Sequence, residues 1–197
     1  MRHSAHGNGY AEPQIVNSIE GTFPQIRDGF RKIAAERIRY ITGTTDWVSD
    51  DDVKWDDFVY GNRLALISIA GKDLRCTIKC HFQLEEFVTA PDQADALKTF
   101  DLLREFLNLC AGGLKIIFQT SELTTGISLP IVTSGYDEIV FSESYRGARL
   151  FDYFRLTSGK KSLVVTLVIE PGSERVVEQL RKFVNADVPS SDDVEFL

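Results

Sequence analysis

The order of hydrophobic periodicities along the chain predicts an α+β domain, an antiparallel-rich β-sheet with long α-helices packed on one face. Three observations carry this expectation. Leu97, Phe100, Leu103, Leu107, Cys110, Leu114 and Phe118 recur at steps of three or four, the period of an amphipathic helix. Two pairs of β-rich runs, 64–70 with 74–82 and 149–156 with 162–169, are each joined by a short turn containing glycine. The sequence then orders these patterns as helix, hairpin, helix, strands and helix, rather than in the strict alternation of a parallel sheet.

The elements follow one by one. Residues 1–12 hold Ser, Gly and Asn with His3 and His6, and read as a mobile tail ahead of a single domain over 13–183. Ile15, Ile19, Phe23, Ile26, Phe30 and Ile33 have helical period, interrupted at Pro24, so the main first helix is expected from about Pro24 to Thr42, stopped by Gly43. Glu36, Arg37 and Arg39 are expected on its solvent side. The acidic run 46–52 reads as a solvated turn. Residues 74–82 alternate strictly, which places Arg75, Thr77, Lys79 and His81 on the outward face and Leu74, Cys76, Ile78, Cys80 and Phe82 on the inward one. Gly71-Lys72-Asp73 forms the turn. Helices are expected over 84–88 and 93–120, separated by Pro91. The second runs on through Ala111-Gly112-Gly113 because its apolar stripe is unbroken there, despite the cost of glycine in a helix interior. Strands at 126–134 and 137–142 follow. A second hairpin turns at Ser158-Gly159-Lys160 and ends at Pro171-Gly172. Val176, Val177, Leu180 and Phe183 imply a closing helix, and 184–197 reads as an acidic tail.

Composition bounds the function. A chain of 197 residues with 43% hydrophobic content fits one globular domain with extensions. The formal charge of -7 argues against nucleic-acid binding, which normally needs a basic surface. No stretch approaches the ~20 apolar residues of a membrane span, and no apolar signal-peptide core is present at the N-terminus. Three cysteines do not make a disulfide framework, so a reducing cytoplasm is the natural reading. Cys76 and Cys80 are about 13 Å apart along one strand, too far to bridge, and with Cys110 they read as small core residues. No His/Cys/carboxylate cluster has metal-ligand spacing, and no nucleophile motif or phosphate-cradling loop appears.

The chemistry-bearing feature lies on the long helix. At about 100° per residue, Asp101, Glu105, Asn108, Gly112 and Lys115 share the face away from the stripe. Glu105 and Asn108 point the same way from adjacent turns, and Gly112, one turn further, leaves the surface bare. A carboxylate, a carboxamide and a bare spot on a rigid rod suit docking and positioning.

Glu105-Phe106-Leu107-Asn108, followed by Gly112 and Lys115 and then by Ile127-Ser128-Leu129-Pro130 and Gly135, resembles the CheX/CheC/FliY phosphatases of bacterial chemotaxis. Their active helix reads E-x-x-N-x-x-x-G-x-x-K, and a strand with an I-S-x-P-x-x-x-x-G pattern follows. The resemblance covers roughly residues 20 to 170. It implies the same α+β fold, with a broad sheet backed by long helices and the E-x-x-N helix exposed. The implied activity is dephosphorylation of the phosphoaspartate of a CheY-like response regulator, whose own metal ion and lysine already neutralise the phosphoryl group. Asn108 would then hold the attacking water and Glu105 would pair with the receiver's lysine. Gly112 would admit the receiver backbone, and Asp101 and Lys115 would lie at the docking surface. No cofactor of its own is implied, since Mg2+ would come with the receiver.

Departures from the pattern matter too. Gly113 stands where a small polar residue is common, and a single E-x-x-N favours the CheX-like one-site arrangement over the two-site one of CheC. Two other readings stay open: a catalytically silent module that docks a response regulator or another signalling protein, and, more weakly, a small-molecule or metal enzyme. A homodimer is expected by resemblance, through edge pairing of 163–169 or 126–133.

Overall fold

The computed structural model describes residues 23–50, 61–88, 93–135 and 150–181. In chain order these give α1 (Phe23–Thr42), β1 (Val48–Asp50), β2 (Arg63–Gly71), β3 (Leu74–Phe82), α2 (Leu84–Phe87), α3 (Gln93–Thr120), β4 (Thr125–Ile127), β5 (Ile131–Ser134), β6 (Leu150–Ser158), β7 (Lys161–Pro171) and α4 (Glu174–Arg181). The strands form one sheet in the order β1-β6-β7-β3-β2-β4, with β5 also on β2 and every pairing antiparallel. The α+β class therefore stands. The expected tails at 1–12 and 184–197, the strand at 137–142, and the positions of Pro91, Ile15, Ile19 and Phe183 lie outside the described residues.

The alternating residues of the sheet build the core. Ala65, Ile67 and Ile69 of β2, the odd side of β7 from Leu163 to Ile169, and Cys76, Ile78 and Cys80 of β3 all face one side. α1 covers them with Ile26, Phe30, Ile33 and Ile38, and α3 with Leu103, Phe106, Leu107, Cys110, Leu114 and Phe118. Burial raises the thiol pKa of Cys76, Cys80 and Cys110, which holds all three as unreactive apolar groups. Phe30 and Phe154 meet edge-on at 5.9 Å, locking α1 to β6.

Gly43, at φ +65°, ends α1 in the left-handed conformation glycine favours, as expected. Other sequence expectations need correction. Arg37 is 4% exposed, not on the solvent side, which on α1 is carried by Asp28, Lys32 and Tyr40 instead. Arg39 folds back and donates from Nε and Nη2 to the Trp47 carbonyl at 3.1 and 2.7 Å. That clamp, with Trp47 Nε1–H donating to Thr42 Oγ1 at 3.0 Å, buries Trp47 and launches β1. The described part of the acidic run 46–52 is thus an edge strand anchored by the buried Trp47 rather than a turn, while Asp46 and Asp50 are exposed as expected. Lys79 and His81 do lie on the second face of the sheet, but both are buried. Their ladder neighbours Leu64, Val164 and Thr166 are buried as well, so alternation here marked two faces without marking solvent.

The segment expected as one strand over 126–134 is broken. Ile127 pairs with Ile69, yet Ile131 pairs with Leu66, so Ser128, Leu129 and Pro130 stand against only Ile67 and Ser68. This is a β-bulge, which turns Ile127 towards the helix face and Ile131 towards the other. Ser128 holds it: its N–H donates to Ser68 O at 2.8 Å, and its Oγ accepts from Ser68 N–H at 3.0 Å. Gly135 then lies against the Gly61 backbone, where a Cβ would collide. The Ser-Pro-Gly spacing read from sequence is therefore a device for bending the strand bordering α3. β7 is also not an edge, because β3 and β6 flank it. Pairing through 163–169 is excluded by that placement.

Candidate functional site

α3 is one continuous helix through both glycines. The two glycines serve opposite purposes. A Cβ on Gly113 would come within 3.0 Å of Ile33 Cγ2 and 3.1 Å of its Cδ1, so this glycine lets α3 settle onto α1. Gly113 therefore seats the helix against α1. A Cβ on Gly112 would meet nothing within 4 Å. Gly112→Ala should accordingly stabilise the fold by about 0.5–1 kcal/mol through helix propensity. A higher midpoint in urea denaturation checks this; a lower one shows that the site is crowded.

Leu103, Leu107, Cys110, Leu114 and Phe118 are buried as expected, and Glu105 and Asn108 are exposed. The burial is broader than the stripe, taking in Phe106, Leu109, Ala111 and Ile117, so α3 leaves only a narrow arc to solvent. Leu97, assigned to the stripe by spacing, is 50% exposed and lies on that arc. Steps of three each fall about 60° short of a full turn, so two of them carry Leu97 away from the line of Leu103 and Leu107.

All five predicted positions share the arc, and their electrostatic states differ. Asp101 is engaged by Arg104, whose Nη1 donates to Oδ1 at 2.8 Å, so its charge is largely answered within the helix. Glu105 and Lys115 make no salt bridge among the described residues, and the Asn108 carboxamide makes no hydrogen bond among them. Lys115 is half-buried and stands one turn past Gly112. A free carboxylate and a free carboxamide, three residues apart on a helix fixed along its other sides, are preorganised to meet an incoming surface.

Sequence reasoning missed the wall beside this arc. α3 contacts both β4 and β5, and the bulge puts Leu129 at 86% exposure between Ile127 at 37% and Ile131 at 42%. The Ser-x-Pro signal was visible, but only the register reveals that it extrudes Leu129. Among the described residues, no group of three or more His, Cys, Asp and Glu side chains is placed to hold a metal ion, and no helix is long and apolar enough to cross a membrane.

No family model matches the sequence, and no curated protein matches it. Solved structures do match. The CheX–CheY–BeF3–Mg complex from Borrelia burgdorferi aligns with TM-score 0.59 at 14% identity, over 73% of this chain and 97% of that one. The chemotaxis protein CheX from Vibrio vulnificus aligns with TM-score 0.54 at 14% identity, over 74% of this chain and 99% of that one. The FliM–SpeE complex from H. pylori aligns with TM-score 0.51 at 10% identity, over 87% of this chain and 97% of that one. The chain therefore has the CheX/CheC-like fold. A fold that also occurs in the FliM complex does not by itself select an activity.

Proposed function

We propose that this chain is a phosphatase acting on the phosphoaspartate of a CheY-like response regulator. The observation that carries the reading is the pairing of an exposed Glu105 with an exposed Asn108, both unengaged among the described residues, on one rigid helix face with Gly112 bare beside them. A solved structure of similar fold is a complex of CheX with CheY, BeF3 and Mg, which makes a receiver domain the partner class to test first.

Chemically, the receiver brings its own metal ion and lysine, so this chain contributes positioning and no cofactor. The neutral Asn108 carboxamide can accept from and donate to a water, holding it in line with phosphorus without adding charge to an anionic centre. Glu105 pairs with the receiver lysine and fixes the register. Asp101, already tied to Arg104, serves the rim, with Lys115 beside it. The cytoplasmic setting and the homodimer remain part of the proposal. With β7 internal, pairing must use another surface.

The deciding experiment is the decay of a phosphorylated CheY-like receiver with and without the protein. Accelerated decay is expected; binding without acceleration would favour the silent docking module. Glu105→Ala should weaken binding about tenfold, and raised salt should weaken the wild-type complex in the same direction. An unchanged dissociation constant for Glu105→Ala would remove the lysine-pairing role.

A further inference from the structure

We propose that the β4–β5 bulge is a second docking element for the same receiver, with Leu129 as its apolar anchor. This rests on the reading of the α3 face as the receiver site. β4 starts shortly after α3 ends, and α3 contacts both β4 and β5, so the chain doubles back along the helix. Leu129 lies about 13 Å along that return, the length of roughly nine helical residues. Counted back from Thr120, that length ends at Ala111, beside Gly112 and one turn beyond Asn108.

The anchor is built rather than incidental. Single exposed leucines are common on surfaces, but this one stands at the bulge next to a partly exposed Ile127 turned towards the helix face, with Ile131 turned to the other face. Its backbone is held by the two Ser128–Ser68 hydrogen bonds, so little ordering remains when a partner covers it. Leu97 is exposed on the α3 arc, about 16 Å before Asn108. The polar pair thus sits between two apolar points, the layout in which covered apolar anchors keep water from a central charged contact.

A second copy of this chain is the less suitable occupant. The bulge interrupts the ladder, and Pro130 removes an N–H from the exposed edge, both of which oppose strand-to-strand pairing. A receiver fits because the surface is continuous with the helix face that would enter its phosphorylation site. The partner must then carry an apolar rim around that site.

The test is the affinity of Leu129→Ser for a CheY-like receiver loaded with beryllofluoride and Mg2+, alongside the KM and kcat of stimulated dephosphorylation. Val48→Ser, which changes an exposed apolar residue on β1 at the opposite sheet edge, is the control. The expected result is an affinity loss of about tenfold with kcat at saturation unchanged, a normal melting curve, and no effect of the control. Wild-type affinity in Leu129→Ser overturns the anchor and leaves the phosphatase reading standing. A fall in kcat at constant KM also overturns it, as does a dimeric wild-type mass in light scattering that Leu129→Ser halves without changing receiver affinity. If the wild type neither binds nor stimulates the receiver, the phosphatase reading falls and this inference falls with it.

Discussion

Asn108→Ala should reduce stimulated receiver dephosphorylation by at least about a hundredfold while leaving receiver affinity near that of the wild type. The expectation follows from what the carboxamide does and does not touch. It makes no hydrogen bond among the described residues, so its removal leaves no orphaned partner and no cavity. An exposed helix position contributes within about 0.5 kcal/mol to stability, and alanine is the better helix former. A melting curve should therefore be unchanged or slightly raised. The rate of phosphoryl loss at saturating protein is the decisive measurement, and full stimulation by the variant would sink the water-positioning role.

Asn108→Asp sharpens the argument, because the shape is kept and only the charge changes. A carboxylate facing the phosphoryl oxygens would repel them and could not donate through an amide N–H. If charge-neutral orientation is the mechanism, Asp should fail as completely as Ala. Full stimulation by Asp would instead mean that the acceptor oxygen alone orients the water and that a neutral side chain is not required.

The same residues show where sequence was a good guide and where it was not. α3 was legible because one face of a long helix must be apolar to pack, and the period of Leu103, Leu107, Cys110, Leu114 and Phe118 reports that need directly. The exposure of Glu105 and Asn108 followed from the same projection. Three features were not legible. Leu97 fits the spacing rule but not the angle, since repeated steps of three walk around the helix. His81 and Lys79 alternate as surface residues do, yet periodicity identifies a face without saying what covers it. The bulge at Ser128-Leu129-Pro130 depends on register, a long-range property that local pattern does not encode. The glycine pair lies between these cases: sequence pointed to the bare spot at Gly112, but the closeness of Gly113 to Ile33 depends on how α1 and α3 cross.

The packing of α1 gives the largest expected effect on stability. Arg31 donates from Nε to Asp152 Oδ2 at 3.0 Å and from Nη2 to Oδ1 at 2.7 Å, a bidentate pair, and Nη2 also reaches the Tyr153 carbonyl at 3.3 Å. The Asp152 carboxylate is buried on β6, while the guanidinium keeps some access to water and lies 5.4 Å from the centre of the Phe154 ring. Asp152→Asn should cost about 2–3 kcal/mol in urea denaturation, because it strips the counter-charge from a largely desolvated guanidinium. The penalty falls below that of a fully buried pair to the extent that water still reaches Arg31. Replacing both partners together, as Arg31→Met with Asp152→Leu, should recover most of the loss, since apolar groups of similar volume carry no uncompensated charge. A double variant as unstable as the single one would mean that the pair acts through its geometry. A single variant within about 0.5 kcal/mol of wild type would mean that the contact is solvent-screened. Either result leaves the α3 face unaltered, because Arg31 and Asp152 join α1 to the sheet while Gly113 and Ile33 join α1 to α3. Receiver dephosphorylation measured well below the melting temperature should therefore be unchanged in the Asp152→Asn variant.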